Sequence, residues 1–262
     1  MKRIMLTVAY DGTNYCGWQI QPNGETIESV LNAELSRLLG EDIRVIGASR
    51  TDSGVHAEGA VAVFDTDSRI PGEKVSYALN QSLPEDIRVR KSEEVASDFH
   101  PRHVRTKKTY EYRIWHDEFP LPTNRLYTHW VYTPLNIEAM QQGAAYFMGE
   151  HDFRAFCSAH TQTGTTVRKI YSLQVEEQDR LITIRVCGNG FLYNMVRIIA
   201  GTLIDIGQCR RQPETVKEML LSGDRSMSGP TAPAKGLCLM GYALNTDEST
   251  NQGNVDSLKT PC

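Results

Sequence analysis

The chain has 262 residues with a formal net charge of −4, 40% hydrophobic and 23% charged, the composition of an ordinary globular protein able to bury a substantial core. No segment reaches the eighteen or so uninterrupted apolar residues of a membrane span, and "MKRIMLTVAYDG" turns polar at Asp11, too early for a signal-peptide core. A cytoplasmic protein is expected, with no membrane partner. The six cysteines are scattered and form no C-x-x-C pair, which argues against a zinc site and against a disulfide scaffold.

In chain order, Ile4 to Tyr10 reads as a strand that ends at the turn dipeptide Asp11-Gly12. Thr26 to Leu39 is the clearest helix: Ile27, Val30, Leu31, Leu35 and Leu38 share one face, and Gly40 sits where a C-terminal cap belongs. Strands are expected at Ile43 to Ile46 and Ala60 to Phe64, a second helix at Glu73 to Gln81 and a strand at Ile87 to Arg90. That order is β-α-β-β-α-β, the split βαβ arrangement with antiparallel strands. The theme returns in the second half. Val104 to Trp115 reads as a strand, Ile137 to Phe147 as a helix, and Ile170 to Glu176 with Leu181 to Cys187 as a hairpin. Leu192 to Ile206 is a strongly apolar helix and Leu237 to Leu244 a closing strand. The fold class is therefore α+β: two similar split-βαβ halves, residues 1–100 and 101–245, with 246–262 as a polar tail lacking periodicity, expected to be disordered.

Motifs for other chemistries are missing. Gly47-x-Ser49 begins like a nucleophile elbow, but Thr51 stands where G-x-S-x-G needs glycine. Gly188-x-Gly190 lacks the third glycine of a dinucleotide fingerprint, and no G-K-[S/T] phosphate loop occurs. His100 and His103 are separated by Pro101 and lack a third ligand nearby, so they read as loop histidines. No cofactor and no metal site are expected.

Three residues stand out. Asp52, in "SRTDSGVHA", lies in a D-S-G run that reads first as a turn, because Asx side chains bond their own backbone. It also follows a strand-like run and is flanked by Arg50, and loops at strand ends are where catalytic residues concentrate. His56 nearby fits either an acid or base or a turn-packing imidazole. Arg197 is a lone guanidinium in the apolar run "FLYNMVRIIAGTLIDIG", with Tyr193 and Gly201 at four-residue spacing and no acidic partner within the helix. It must snorkel to water or meet a partner from elsewhere. Tyr110 lies in "RTKKTYEYRIW", where alternation puts Lys108, Tyr110 and Tyr112 on one face and Lys107, Thr109, Glu111 and Arg113 on the other. Rings interleaved with cations suit unpaired RNA, since bases stack on rings and phosphates meet cations. Arg102, Arg105, Lys107 and Lys108 are the expected RNA-binding residues of this basic segment.

These residues resemble a known family. "SRTDSGVHA" is similar to the G-R-T-D-A-G-V-H-A signature of the TruA family of tRNA pseudouridine synthases. "YDGTNYCGWQIQP", "KKTYEYRI", "GEHDFRAFC", "GNGFLYNMVR" and "APAKGLCL" follow that family's landmarks in order, to about residue 245. Ser49 and Ser53 replace the usual Gly and Ala, and Ala60 stands where Gln is common. The resemblance implies a two-domain α+β fold with antiparallel sheets joined across a central basic cleft, acting as a homodimer without cofactor. It implies conversion of uridine to pseudouridine at positions 38, 39 and 40 of the tRNA anticodon arm. By position, Asp52 matches the catalytic aspartate, Tyr110 the ring that stacks on the target base and Arg197 the arginine that pairs with the aspartate. Arg50 matches an arginine that helps hold the target nucleotide out of the stem, and Leu237 an apolar residue beside the uracil. Whether Asp52 attacks C1′, attacks C6 or removes a proton stays open at this level. The alternative is a non-catalytic RNA-binding or tRNA-folding protein using the same cleft.

Overall fold

The computed structural model describes residues 1–104, 106–158 and 164–244. Arg105, expected among the RNA-binding residues, and the 246–262 tail lie outside the described residues. The chain divides into two compact units, Met1–Thr106 together with the segment from Leu239 onward, and Lys107–Cys238.

In the first unit, β1 (Lys2–Tyr10), α1 (Ile27–Leu39), β2 (Ile46–Gly47), β3 (His56–Thr66), α2 (Val75–Leu79) and β4 (Ile87–Val95) follow one another. The strand order is β4-β1-β3 with β2 on β3, and each pairing is antiparallel, as the split βαβ arrangement requires. Ile4, Leu6, Val8 and Tyr10 alternate along β1 and are all buried, the period of a strand with one face on the core. Ile27, Leu31 and Leu35 bury the apolar stripe of α1. Its first turn is closed by a capping box between Thr26 and Ser29, and Gly40 ends it.

α2 is shorter than the apolar spacing suggests because residues Gly72–Lys74 form a 3-10 turn ahead of it, and both ends are tied to β4. The Ser76 N–H donates to Ser92 Oγ at 2.8 Å. Asn80 then pairs with the Val89 main chain, donating from Nδ2 at 2.9 Å and accepting at Oδ1 at 2.8 Å.

The second unit holds β5 (Thr106–His116), β6 (His129–Val131), α3 (Ile137–Ala145), β7 (Gly149–Asp152), β8 (Val167–Gln178), β9 (Leu181–Gly188), α4 (Met195–Gly207) and α5 (Thr215–Ser222). β10 (Leu237–Leu244) begins in this unit and continues from Leu239 in the first. The sheet order is β5-β9-β8-β7, antiparallel throughout, with β6 parallel to the end of β5. β5, α3, β8, β9 and α4 thus repeat the chain order of β1, α1, β2, β3 and α2, and the neighbours β5-β9-β8 repeat β1-β3-β2. The architectural repeat expected from the sequence is present. α4 starts at Met195 rather than Leu192, because Asn194 takes a left-handed conformation at φ 61° and turns the chain just before the helix. Every residue of α4 except Arg197 is buried.

Arg3 and Asp65 are directly opposed in the β1–β3 ladder, and their side chains join twice, Nε to Oδ1 at 2.8 Å and Nη2 to Oδ2 at 2.6 Å. Arg3 Nη1 also donates to the Phe99 carbonyl at 2.9 Å. The hydrogen bonds from Arg3 hold the Asp65 carboxyl below the usual carboxylate range. A carboxyl depressed on folding stabilises above its unfolded pKa, about 4, and that stability is lost as pH falls through the folded value. Arg3→Ala is therefore expected to lower the unfolding free energy by about 1 kcal/mol at neutral pH. In urea titrations the gap to the unmutated protein should narrow as pH drops from about 5 towards 3, leaving the Phe99 contribution. A gap independent of pH would contradict this account of the pair.

Candidate active site

Asp52 sits in a turn between β2 and β3, in which the Val55 N–H donates to the Asp52 carbonyl at 3.1 Å. The segment after β1 braces that turn. The Thr51 carbonyl accepts the Trp18 N–H at 3.1 Å, and the Gly54 N–H donates to the Tyr15 carbonyl at 3.3 Å. Ser53 Oγ donates to that same Tyr15 oxygen at 3.2 Å. The Thr51 hydroxyl lies 2.7 Å from the Tyr10 hydroxyl in a buried contact. Gly17, at φ +85°, lets the two segments approach: a Cβ there would stand 2.6 Å from the Thr51 carbonyl oxygen, closer than real Cβ atoms come to backbone, and the left-handed φ is itself a position that favours glycine. Asp52 is half-buried and Arg50 exposed.

The bracing segment is itself anchored. The Ile27 N–H donates to the Gly17 carbonyl at 3.2 Å and the Glu28 N–H to Trp18 O at 3.0 Å, so the first turn of α1 holds it from behind. Tyr15 donates to Asp86 Oδ1 at 2.6 Å. Burial, with the Asp86 hydrogen bond second, pushes the Tyr15 phenol well above its ordinary value, so it remains a donor at neutral pH. His56 is 6% exposed. Its Nδ1 accepts the Gly12 N–H at 3.1 Å, and Asp11 Oδ1 is also 3.1 Å from that nitrogen. One nitrogen cannot serve both at once: neutral Nδ1 accepts from Gly12, and protonated Nδ1 donates to Asp11. Either way the imidazole ties β3 to the bracing segment, which is the turn-packing role.

In the second unit, Tyr110 is buried on β5 and meets the edge of Phe191, with ring centroids 5.2 Å apart at 84°. Arg197 finds partners that its helix sequence hides. Nη1 donates to Asn194 Oδ1 at 2.8 Å, Nε donates to the Ala232 carbonyl at 2.7 Å, and the Ala232 N–H returns to the Arg197 carbonyl at 3.1 Å. The guanidinium is half-buried and held to main chain and amide rather than snorkelling freely. The 229–233 segment reaches it because α4 has a bare flank. A Cβ at Gly201 would overlap the Pro230 carbonyl oxygen, and Thr202 Oγ1 accepts the Gly229 N–H at 2.9 Å.

Tyr112, on the face of Tyr110, donates to the Pro233 carbonyl at 2.9 Å. Burial pushes its phenol far above the ordinary range, opposed by the positive charge of Arg197. Leu237, buried at 5% exposure, follows directly from the turn that Tyr112 holds. The site residues thus fall into two groups: Arg50 and Asp52 on a braced turn of the first unit, and Tyr110, Arg197 and Leu237 around β5, α4 and the 229–237 segment of the second.

The basic residues have distinct settings. Arg102 Nε donates to the Gly47 carbonyl at 2.8 Å and so supports the strand that leads to the Asp52 turn. Lys107 and Lys108 are half-buried and, as alternation demands, lie on opposite faces of β5; Lys108 shares the face of Tyr110. Sequence reasoning missed Asn194, Phe191 and the Tyr15–Asp86 pair. Asn194 carried a readable signal, since Asn is among the few side chains that tolerate the left-handed conformation before a helix.

Matches to known proteins identify the family. Residues 6–103 and 144–243 match a family described as tRNA pseudouridine synthase. The chain is 50% identical over 241 residues to "tRNA pseudouridine synthase A" of Ruminiclostridium cellulolyticum, covering 92% of this chain and 98% of the relative. It is 46% identical over 239 residues to "tRNA pseudouridine synthase A 2" of Clostridium perfringens, covering 91% and 98%. It is 45% identical over 240 residues to "tRNA pseudouridine synthase A" of Acetivibrio thermocellus, covering 92% and 98%. An α+β protein with a braced aspartate turn is thereby placed among the enzymes that modify RNA. The chain belongs to the tRNA pseudouridine synthase family, the isomerases that turn uridine into pseudouridine in tRNA.

Gly201→Ala is expected to push the 229–233 segment off α4 and to loosen Ala232 from Arg197. The expected cost is about 1–3 kcal/mol of unfolding free energy, the usual range for overpacking. Urea unfolding that matches the unmutated protein would show that the segment has room the geometry denies it.

Proposed function

We propose that this enzyme acts on uridines 38, 39 and 40 of the tRNA anticodon arm, with Asp52 as its nucleophile. The observation that carries the reading is the bracing of the Asp52 turn. The turn is fixed by bonds from Thr51, Ser53 and Gly54 to the end of β1 and the segment after it, and by the Val55 N–H on the Asp52 carbonyl. The "SRTDSGVHA" signature and the ordered family landmarks support the position assigned to it.

In the reaction the N1–C1′ bond breaks, a C5–C1′ bond forms, C5 loses a proton and N1 gains one. The balance needs no redox partner and no group donor, so the work falls on positioning and charge. An ionised carboxylate stabilises the electron-poor centre by bonding to it, and the family resemblance assigns Arg197 as the arginine that pairs with that carboxylate. The target base has to leave the helix stack, which costs a few kcal/mol, and a ring such as Tyr110 recovers part of it by stacking. Arg50 holds the displaced nucleotide, and Leu237 supplies an apolar wall against the uracil. Arg102, Arg105, Lys107 and Lys108 serve the phosphates. The same reading makes the working form a cytoplasmic homodimer with no cofactor. Among the described residues no helix is long and apolar enough to cross a membrane.

Asp52→Asn is expected to abolish tritium release from tRNA labelled at uracil C5, with kcat reduced on the order of 10³-fold or more. Primer-extension mapping with the unmutated enzyme should place the new pseudouridines at 38, 39 and 40. Turnover by Asp52→Asn near the unmutated rate would remove the nucleophile assignment, and modification confined to other arms of the tRNA would remove the site assignment.

A further inference from the structure

The β5-β9-β8 sheet carries a side-chain cluster that the isomerisation does not use. In the β8–β9 ladder Ile170 lies opposite Gly188 and Ser172 opposite Cys187, so Tyr171 is an extra residue on β8. Such a bulge bends the strand and re-aims a side chain. Tyr171 is half-buried, and two ammonium groups converge on its ring. Lys107 Nζ, from β5, stands 5.1 Å from the ring centroid, and Lys169 Nζ, two residues before Tyr171, stands 5.8 Å from it. Glu150 is the cross-strand partner of Lys169 on β7, yet the ammonium lies over the ring. Among the described residues neither lysine forms an ion pair with a carboxylate.

Two like charges gathered on one ring repel each other, and the negative face of the phenol offsets part of that repulsion. The result is a pair of ammonium groups ordered in advance, in a chain whose net charge is −4. Lysine side chains normally lose much rotamer freedom when they bind, and ordering them beforehand removes that cost from the binding step. We propose that Lys107 and Lys169 clamp a backbone phosphate of the tRNA, and that Tyr171 is the positioning residue that assembles the clamp. The inference rests on tRNA being the substrate; it adds Lys169 to the RNA-contacting residues and makes Tyr171 the residue that positions the two lysines.

The test is binding of an unmodified tRNA transcript to the full-length protein across a salt series, by fluorescence anisotropy. Lys169→Gln is expected to weaken binding several-fold and to reduce the slope of log Kd against log salt by about 0.7–0.9, the change for one lost phosphate contact. Tyr171→Phe keeps the ring and should bind as the unmutated protein does; Tyr171→Leu should fall towards Lys169→Gln. Thermal melts show whether each variant is folded, and should Tyr171→Leu not fold, Lys169→Gln alone decides the clamp. An unchanged slope and affinity for Lys169→Gln would overturn the clamp. A folded Tyr171→Leu that binds like Tyr171→Phe would overturn the positioning role. Pseudouridine formation by the unmutated protein is measured in parallel. If it proceeds while Lys169→Gln binds normally, only the clamp fails. If it is absent while Lys169→Gln lowers the slope, the proposed function fails and the clamp stands.

Discussion

The bracing of the 51–54 turn by residues 10–18 is the constraint on which the first unit depends. A carboxylate in an isolated D-S-G turn samples many positions, because a turn has few bonds of its own. Here the Thr51 carbonyl, the Gly54 N–H and the Ser53 hydroxyl are all tied to one strand-following segment. The Thr51 hydroxyl is tied to the end of β1. Each such bond contributes only about 1 kcal/mol net, but together they leave the turn few alternatives. The bracing segment is fixed in turn by the first turn of α1 and by Asp86. The capping box that starts α1 thus contributes to the site as well as to the helix.

The second unit solves a related problem by similar means. A guanidinium in an apolar helix would be costly if its donors were left unmatched. Asn194, placed by its left-handed backbone, and Ala232, delivered by a segment pressed against the bare flank of Gly201, each accept one of its N–H groups. In both units a candidate functional side chain is placed chiefly by main-chain contacts, which do not depend on the protonation of neighbouring groups. Tyr112 adds a third such contact, to Pro233, beside Leu237.

Much of this was legible in the sequence because it is periodic or punctuated. The apolar stripe and caps of α1, the alternation of β1 and β5 and the β8–β9 hairpin all follow from local pattern, and with them the α+β repeat. Arg197 stood out as a charge in an apolar run, Tyr110 as a ring interleaved with cations along a strand, and Asp52 as a carboxylate beside Arg50 at a strand end. What could not be read is non-local or too short to be periodic. β6 and β7 have three and four residues, and nothing in "YDGTNYCGW" says that its carbonyls and amides meet Thr51 and Gly54 about forty positions away. The aim of Tyr171 depends on a bulge whose register is set by β9. Arg102 read as a phosphate contact from its basic neighbours, and its bond to Gly47 needed the fold to be seen.

The central claim is that the brace fixes the Asp52 carboxylate for chemistry, and Gly17 is where the brace touches the turn most closely. Gly17→Ala adds one methyl 2.6 Å from the Thr51 carbonyl and removes no ionisable group. The decisive measurement is single-turnover tritium release from tRNA labelled at uracil C5 by this variant, with far-UV circular dichroism and tRNA affinity measured on the same preparation. The account predicts a folded protein that binds tRNA and isomerises it at least about tenfold more slowly, a loss of roughly 1.4 kcal/mol in transition-state stabilisation. Isomerisation at the unmutated rate by the folded variant would contradict it.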